Sequence, residues 1–555
     1  MNHLRARKAM IGALATLVML PACADDSDQS TSNTENSAPS TSAPAPSTSK
    51  QPKIGGTVTF ASYIMAAGLD PLVISSGNGA VGGSEMLAVY DAIVRFDPAT
   101  GKYENRTSES LTPNADFTVW TLRLKPGIVF SDGTPYDAAA VVFNLNRHRS
   151  GQPGAPPCAE IVACPRNTRG TATYVAPISN LEVTGPLTVT ITLRSPWSGF
   201  PFVLATLPGQ IASPTALKKC AGAQPPAQCA FNLSPVGAGP FIVSSFKAGE
   251  SIVMTRNPTY FGGQVPLDEI RFVPGGDANA LSMLDTGTAQ AVYARDAQVV
   301  ADAKAKKYVH IDATDNAGSG LLFNTASGAT ADVNVRRAIT AAVDPRVVND
   351  RVFGGQGVPG SELFKKGFPW LPDVKGPAYD PEAARRYVAE AKQAGWNGSV
   401  RIISTNLPVG INTTVALDAM LKAVGIEPQI ENLPAGESAT RAAQGDFDIQ
   451  VTGFGLVNDE GTYAILASNF NSTDGRSASK FKSPALDTAL AEIATAKTDA
   501  ERVSGYGKFA TEITAKVPMM PLVALPVGLL HTAKLQGVQS TVQGVMIFSQ
   551  AWLDQ

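Results

Sequence analysis

Two neighbouring carboxylates, Asp459 and Glu460 in the stretch GFGLVNDEG (453–461), are the residues best equipped for acid–base chemistry. Glycoside hydrolysis needs two carboxyls facing each other across the scissile bond. Side chains adjacent on one loop do not supply that opposition. An exported hydrolase would need either such a facing pair or a nucleophile beside a base, and the sequence offers neither. No Gly-x-Ser-x-Gly, phosphate-binding loop or His-Glu-x-x-His pattern occurs. Gly-x-Gly-x-x-Gly occurs twice, as GNGAVG from Gly77 and GQGVPG from Gly355, but a chain with 50 glycines makes such matches cheaply. The second also places Pro359 where a helix would have to open. The four histidines, His3, His148, His310 and His531, are scattered and give no metal-ligand spacing. No metal or cofactor is therefore expected, and the chemistry points to binding.

The five cysteines fall into one singlet and two close pairs. Arg5, Arg7 and Lys8 precede an uncharged apolar segment, Ala9 to Leu20. This is the order of an export signal, and it is shorter than the roughly 20 residues needed to span a bilayer. Residues 1–22 read as a signal peptide. The ending LPAC resembles the bacterial lipobox, which implies that Cys23 is the lipidated mature N-terminus and anchors an extracytoplasmic protein to the bacterial cell membrane. An ordinary secretory signal with an incidental cysteine is the alternative, and Pro21 departs from the usual pattern. From Ala24 to Lys53 no aromatic or large aliphatic residue occurs, so residues 23–53 read as a disordered tether. Its root-mean-square span as a coil would be roughly 30 Å. Cys158 with Cys164, and Cys220 with Cys229, bracket Pro-rich polar loops. Export permits disulfides, and two local ones are expected, with free buried thiols or a zinc site as other readings.

Lys and Arg number 45 against 47 Asp and Glu, a net charge of −2 that argues against nucleic acid or an anionic membrane face as partner. Beyond the signal no apolar run approaches 20 residues, so no further span is expected. About 500 residues allow several lobes. Helical and strand patterns alternate, giving an α/β or mixed α+β expectation. In YDPEAARRYVAEAKQAG, Asp380 caps a helix that Pro381 opens and Gly395 stops, with Ala384, Val388 and Ala391 inward. Leu417, Met420, Leu421 and Val424 line a second helix, and Ser483–Pro484 open a third with Leu486, Leu490 and Ile493 inward. SVRIIS (399–404) and DIQVTGF (448–454) read as buried strands, so 399–454 is a β-α-β-α-β run. WTLRLKPGIVFSDGTPYDAAAVVFNL (120–145) reads as a strand, a Pro-Gly turn, a second short strand, an Asp132–Gly133 turn and a helix capped by Asp137.

That last stretch closely resembles a signature of the extracytoplasmic solute-binding proteins of the peptide, opine and nickel class (family 5) of bacterial ABC importers. PVGAGPF (235–241), TRNPTYFGG (255–263), LLFNTASGATADVNVRRAITAAVD (321–344), YDPEAARRYVAEA, GDFDIQVTGFG and the segment from SPALDTALAEI to KVPMMPL follow in the family's order. The resemblance implies a two-lobed periplasmic-binding-protein-like fold with an extra subdomain in the first lobe and a ligand cleft between lobes. It implies lobe I at 54–90, 225–315 and 516–555, its subdomain at 91–224 and lobe II at 316–515. It further implies a non-enzymatic ligand trap that closes on a solute and is read by permease subunits. A monomer suffices for that motion.

In peptide-binding members an Asp within Trp-Gly-x-Asp-Tyr pairs with the ligand's free amino group. Here Phe454 stands for the Trp, Gly455 for the Gly and Val457 for the Asp, so the usual anchor is missing and Asp459 or Glu460 is left to replace it. A buried ammonium needs such an acceptor, which valine lacks. The resemblance puts Ser62, Tyr63, Asn78, Asn324, Phe454, Gly455, Asn458 and Asp459 near the ligand. An oligopeptide or peptide-like compound is the expected solute. An oligosaccharide, opine or aromatic compound is the alternative, for which Phe454 and Tyr463 could serve as ring platforms.

Overall fold

The alternation in TVTFAS makes Thr57–Ser62 a strand that drives Val58 and Phe60 into the core. In the computed structural model, which describes residues 51–74, 78–98, 100–151, 155, 171–220, 229–473 and 479–554, this strand lies inside an 11-stranded mixed sheet. Its neighbours are Glu269–Pro274, parallel, and Ala291–Ala294. The antiparallel strands Ser251–Arg256 and Phe241–Lys247 complete this end. Phe60, Phe272 and Phe548 meet edge to face at centroid distances of 5.7–6.0 Å and anchor the first-lobe core. Burying each such ring is worth roughly 1.5–3 kcal/mol.

Two long antiparallel strands, Val309–Phe323 and Met519–His531, carry the sheet from the first lobe into the second. Pro521 and Pro526 cannot donate to the ladder between them. The pairing register shifts between Asp315 and Ser319 and again between Ser319 and Gly320. The ladder between the two strands is thus interrupted at these positions.

Beyond that point the 399–454 run folds as read. Ser399–Thr405 pairs in parallel with both Glu427–Leu433 and Ile449–Thr452, with helices Pro408–Lys422 and Ala435–Gln444 between. Helix Pro381–Gln393 buries Ala384, Val388 and Ala391, and Asp380 accepts bonds from the Glu382 and Ala383 amides. Cores on both faces cover the sheet: Val335, Ile402 and Leu417 on one side, Trp370, Tyr506 and Phe509 on the other. Ser399–Thr405 accordingly buries Val400, Ile402 and Ile403, while Glu427–Leu433 keeps polar, exposed positions.

A separate four-stranded antiparallel sheet is built from Ser108–Pro113, Val119–Leu124, Thr188–Leu193 and Ile178–Gly185. Helix Ala138–His148 packs on it through Val141 and Leu145, and Asp137 caps that helix by accepting from the Ala140 amide at 2.8 Å. The second short strand expected after the Pro-Gly turn does not form as a strand. Val119–Leu124 pairs with strands distant in sequence, and the second strand shrinks to a single bridge, Val129 to Pro135. Cross-strand side-chain pairs stabilise a sheet, and Trp120 and Leu122 stand opposite Ile191 and Val189 of the distant strand.

Cys220 and Cys229 form a disulfide with a Cα separation of 5.5 Å. Cys23, Cys158, Cys164 and Gly77 lie outside the described residues. Among the described residues no helix is long and apolar enough to cross a membrane.

Candidate functional site

A cavity opens where the first lobe, the small subdomain and the second lobe face one another, beside the hinge-strand residues Ala313 and Val527. Its volume is about 220 Å³.

The first lobe and the subdomain share a polar wall, on which Asp91, Arg95 and Asn78 are satisfied by the fold itself. Asp91, held at φ 54°, accepts from Arg106 Nη2 at 2.9 Å, from the Tyr260 hydroxyl at 2.6 Å and from the Ala92 amide at 2.8 Å. Arg95 donates to Glu104 at 2.7 Å and to Gln539 at 3.1 Å. Asn78 Oδ1 accepts from the Ala80 and Val81 amides, both at 3.1 Å, and so shapes its own turn. Tyr293 reaches the cavity only because Gly79 and Gly544 lack side chains: a Cβ on either would lie 2.5 Å from its ring. The subdomain contributes Phe96, Tyr174, Phe202 and Gln210.

The second-lobe wall is the loop Gly455–Gly461, where Gly455 (φ 63°), Val457 and Asp459 all face the cavity. Asp459 is 4 % exposed, and its Oδ1 accepts one hydrogen bond, from the Gly461 amide at 2.8 Å. Among the described residues no cation stands beside it, and burial pushes its carboxyl up to about 7. Glu460, next in sequence, turns the other way and meets Arg502 at 3.2 Å, whose guanidinium lies 5.3 Å from the Trp370 ring centre. Burial also raises Glu460 to about 7, against the opposing pull of Arg502. The two carboxyls therefore do not face one another, and the geometry gives no support to hydrolase chemistry.

The second lobe touches the subdomain beside the cavity. The Ser198 amide donates to the Ala494 carbonyl at 2.7 Å, Trp197 and Tyr463 pack at 5.5 Å, and Glu460 Oε2 would lie 2.6 Å from a Cβ on Gly199. Here the two elements are in direct contact.

Of the eight residues expected near ligand, Asn78, Gly455 and Asp459 line the cavity. The other five are placed elsewhere by bonds of their own. Ser62 is buried and donates to Glu85 Oε1 at 2.7 Å. Tyr63 packs edge-on against Tyr293 at 6.5 Å, just behind the wall. Asn324 donates to the Gly445 and Phe447 carbonyls and is 2 % exposed, a buried fastening inside the second lobe. Phe454 lies over Gly320, and Asn458 accepts from Asn316 Nδ2 at 2.6 Å. Tyr463 packs on Trp197 and is thus a closure contact, not a platform open to a ring. Asp91, Arg95, Gln210 and Tyr293 were not foreseen, because only tertiary assembly brings the subdomain and the C-terminal segment to this wall. Of the histidines, His148 is fully buried, His310 lies 3.9 Å from Asp312, and His531 Nδ1 sits 3.0 Å from the Thr532 carbonyl. Among the described residues no three His, Cys, Asp or Glu side chains converge as a metal site would require.

Comparison with known proteins agrees with this architecture. The glutathione-binding protein GsiB of Escherichia coli (strain K12) is 25% identical over 448 residues, covering 79% of this chain and 83% of its own. The agropinic acid complex of AgaA from A. tumefaciens R10 superposes with a TM-score of 0.69 at 23% identity, covering 90% of this chain and 99% of that one. Helicobacter pylori DppA with the peptide STSA gives a TM-score of 0.72 at 21% identity, over 91% and 99%. The profile of the bacterial extracellular solute-binding proteins, family 5 Middle, matches residues 102–476, and the chain, with its two lobes and the cavity enclosed between them, belongs to that family.

Proposed function

We propose that this protein is the lipid-anchored substrate-binding component of an ABC importer, which captures an oligopeptide or peptide-like solute bearing a free ammonium group and delivers it to a membrane permease. The observation that carries the ligand reading is Asp459: a buried carboxylate on the cavity wall with one backbone hydrogen bond and no cation among the described residues. A ligand ammonium placed there would supply the missing counter-charge, as buried ion pairs require. Asp459 thereby takes over, two residues on, the part that Val457 cannot play. Lobe I would comprise 54–90, 225–315 and 516–555, its subdomain 91–224, and lobe II 316–515. The register break after Asp315 supports that division. Ligand touching both walls stabilises the closed form, which a permease can then distinguish from the open one.

Calorimetry on the full-length protein with alanine oligomers of two to five residues tests the ligand reading. Binding that disappears on N-acetylation of the peptide is expected; equal affinity for both forms would remove the ammonium from the proposal. A second reading, a non-peptide solute such as an opine, draws on Val457, which makes the wall at the family's usual anchor apolar. Binding of agropinic acid but of no peptide would favour it. The anchor rests on the LPAC sequence. Cys23→Ser should move the protein from the membrane to the soluble fraction, and retention of the mutant on membranes would sink that claim.

A further inference from the structure

Gln210 follows the short 3-10 turn Leu207–Gly209 and lines the cavity from the subdomain side. It is 3 % exposed, and its Oε1 accepts no hydrogen bond. Its backbone amide is engaged with the Leu207 carbonyl, so the element is fixed and only the side chain lacks partners. A buried carboxamide oxygen left unpaired destabilises a fold by about 1–3 kcal/mol, which is why such groups almost always have a partner. Another amide bordering the cavity, Asn78, shows the ordinary solution, with its oxygen bonded to two backbone amides. Gln210 has no such internal role, and the space it borders is the ligand cavity.

We propose that Gln210 is a ligand-reading residue: its carboxamide pairs with a backbone amide of the bound solute, while Asp459 on the opposite lobe holds the ammonium. This rests on the ammonium reading of the cavity and narrows it. The solute class becomes one that carries a cationic amine together with a secondary amide, which a peptide has and a simple sugar or amino acid lacks. A carboxamide offers one acceptor and two donors, so it can meet the N–H and C=O of one residue of an extended peptide together, since those two groups point to the same side. Because the two contacts come from opposite lobes, a solute with both groups rewards closure and a solute with one does not.

The test uses the full-length protein, the best-bound alanine oligomer, and analogues in which each amide in turn is replaced by an ester. Gln210→Met keeps the side-chain length and removes both hydrogen-bonding ends. The expected result is a loss of peptide affinity of about tenfold in the variant. One ester analogue should bind about tenfold more weakly than the amide to the wild type, yet equally well as the amide to the variant, so that the losses do not add. The unliganded variant should melt no lower than the wild type, because a polar group without a partner has been removed. A purely packing role for Gln210 would lower the melting temperature and leave the ester effect intact; that outcome, or additive losses at every ester position, overturns the proposal. If the oligomers bind and depend on their ammonium while Gln210→Met is silent, only this inference falls. If no oligomer binds, both readings fall together.

Discussion

Asp91 and Asp459 border the same cavity and are both nearly inaccessible, yet their surroundings differ in kind. Asp91 belongs to a finished network: Arg106 neutralises it, Tyr260 donates to it, and the Ala92 amide completes its shell. Asp459 has one backbone bond and an empty space in front of it. Burial alone does not distinguish a structural carboxylate from one awaiting a ligand. The presence or absence of a partner does, because an ionised group in a low-dielectric site must find its counter-charge either in the fold or outside it.

The sharpest way to break that comparison is to remove each acid in turn. Asp91→Ala strands Arg106 in a half-buried position and should lower folding stability by about 3 kcal/mol, since losing one partner of a buried pair leaves the other uncompensated. Denaturant melts would show it as a shifted midpoint with an unchanged slope. A stable Asp91→Ala protein that had lost ligand affinity would reverse the two roles.

Asp459→Asn should do the opposite. Ligand affinity for the alanine oligomers should fall by about 100-fold, in the range found when one member of a buried charged contact is lost. The unliganded protein should be as stable as the wild type or more so at neutral pH. The pH dependence follows from the direction of the shift. Because burial raises the folded-state value from 3.8 to about 7, the unfolded chain releases the Asp459 proton first as pH rises. Stability should therefore be highest below the unfolded value, fall between about pH 4 and 7, and level off above that. Glu460, raised to about 7, contributes a second component with the same sign. Asp459→Asn should remove its own part of that slope, and unfolding curves at pH 5 and 7.5 would measure it. Affinity for an ammonium should move the other way, strengthening towards neutral pH as the carboxylate ionises. Binding below pH 7 should release a proton, which buffer-dependent calorimetric heats would report. A slope unaltered by the substitution would place the titration on some other group.

What the sequence revealed and what it hid divide along the same line between local and assembled structure. Helix starts at Asp380, Ser483 and Asp137 were legible because a cap acts on amides two or three residues away. The 399–454 run was legible because hydrophobic period and turn residues agree over its whole length. The second short strand read before Asp132 is only a bridge, because strand pairing is settled by distant partners that no local pattern names. Ser62 and Asn324 followed the family's order correctly along the chain, but Glu85 and the Gly445 carbonyl, which decide where those side chains go, are set by tertiary contacts. Gln210 carries no sequence signal at all; its significance is the absence of a partner, which only the assembled wall displays.

A smaller effect is expected at the closure contact. Gly199 faces Glu460 with no room for a methyl group, so Gly199→Ala should hold the subdomain slightly away from the second lobe without touching the ligand. Overpacking a tight contact costs about 1–3 kcal/mol; part of it falls on Trp197 Nε1, which would lie 2.9 Å from the new Cβ within the subdomain, so the unliganded melting temperature should fall slightly while affinity drops by up to about tenfold. Small-angle scattering of the ligand-saturated variant should show a larger radius than the wild type. An unchanged affinity would mean that the Ser198–Ala494 contact is not part of the liganded state.

The least effect, and the finest division, concerns two of the amides that border the cavity. Asn78 and Gln210 both border the cavity, but Asn78 Oδ1 is already engaged by the Ala80 and Val81 amides. Asn78→Ala should therefore cost about 1 kcal/mol of stability through the loss of a turn-forming acceptor, and change peptide affinity by less than about twofold. Asn78→Asp keeps the acceptor and should restore most of that stability. Were Asn78→Ala instead to weaken binding as much as Gln210→Met while melting normally, partner-counting would have failed to tell a structural amide from a ligand-reading one, and the distinction drawn between Asp91 and Asp459 would lose its basis as well.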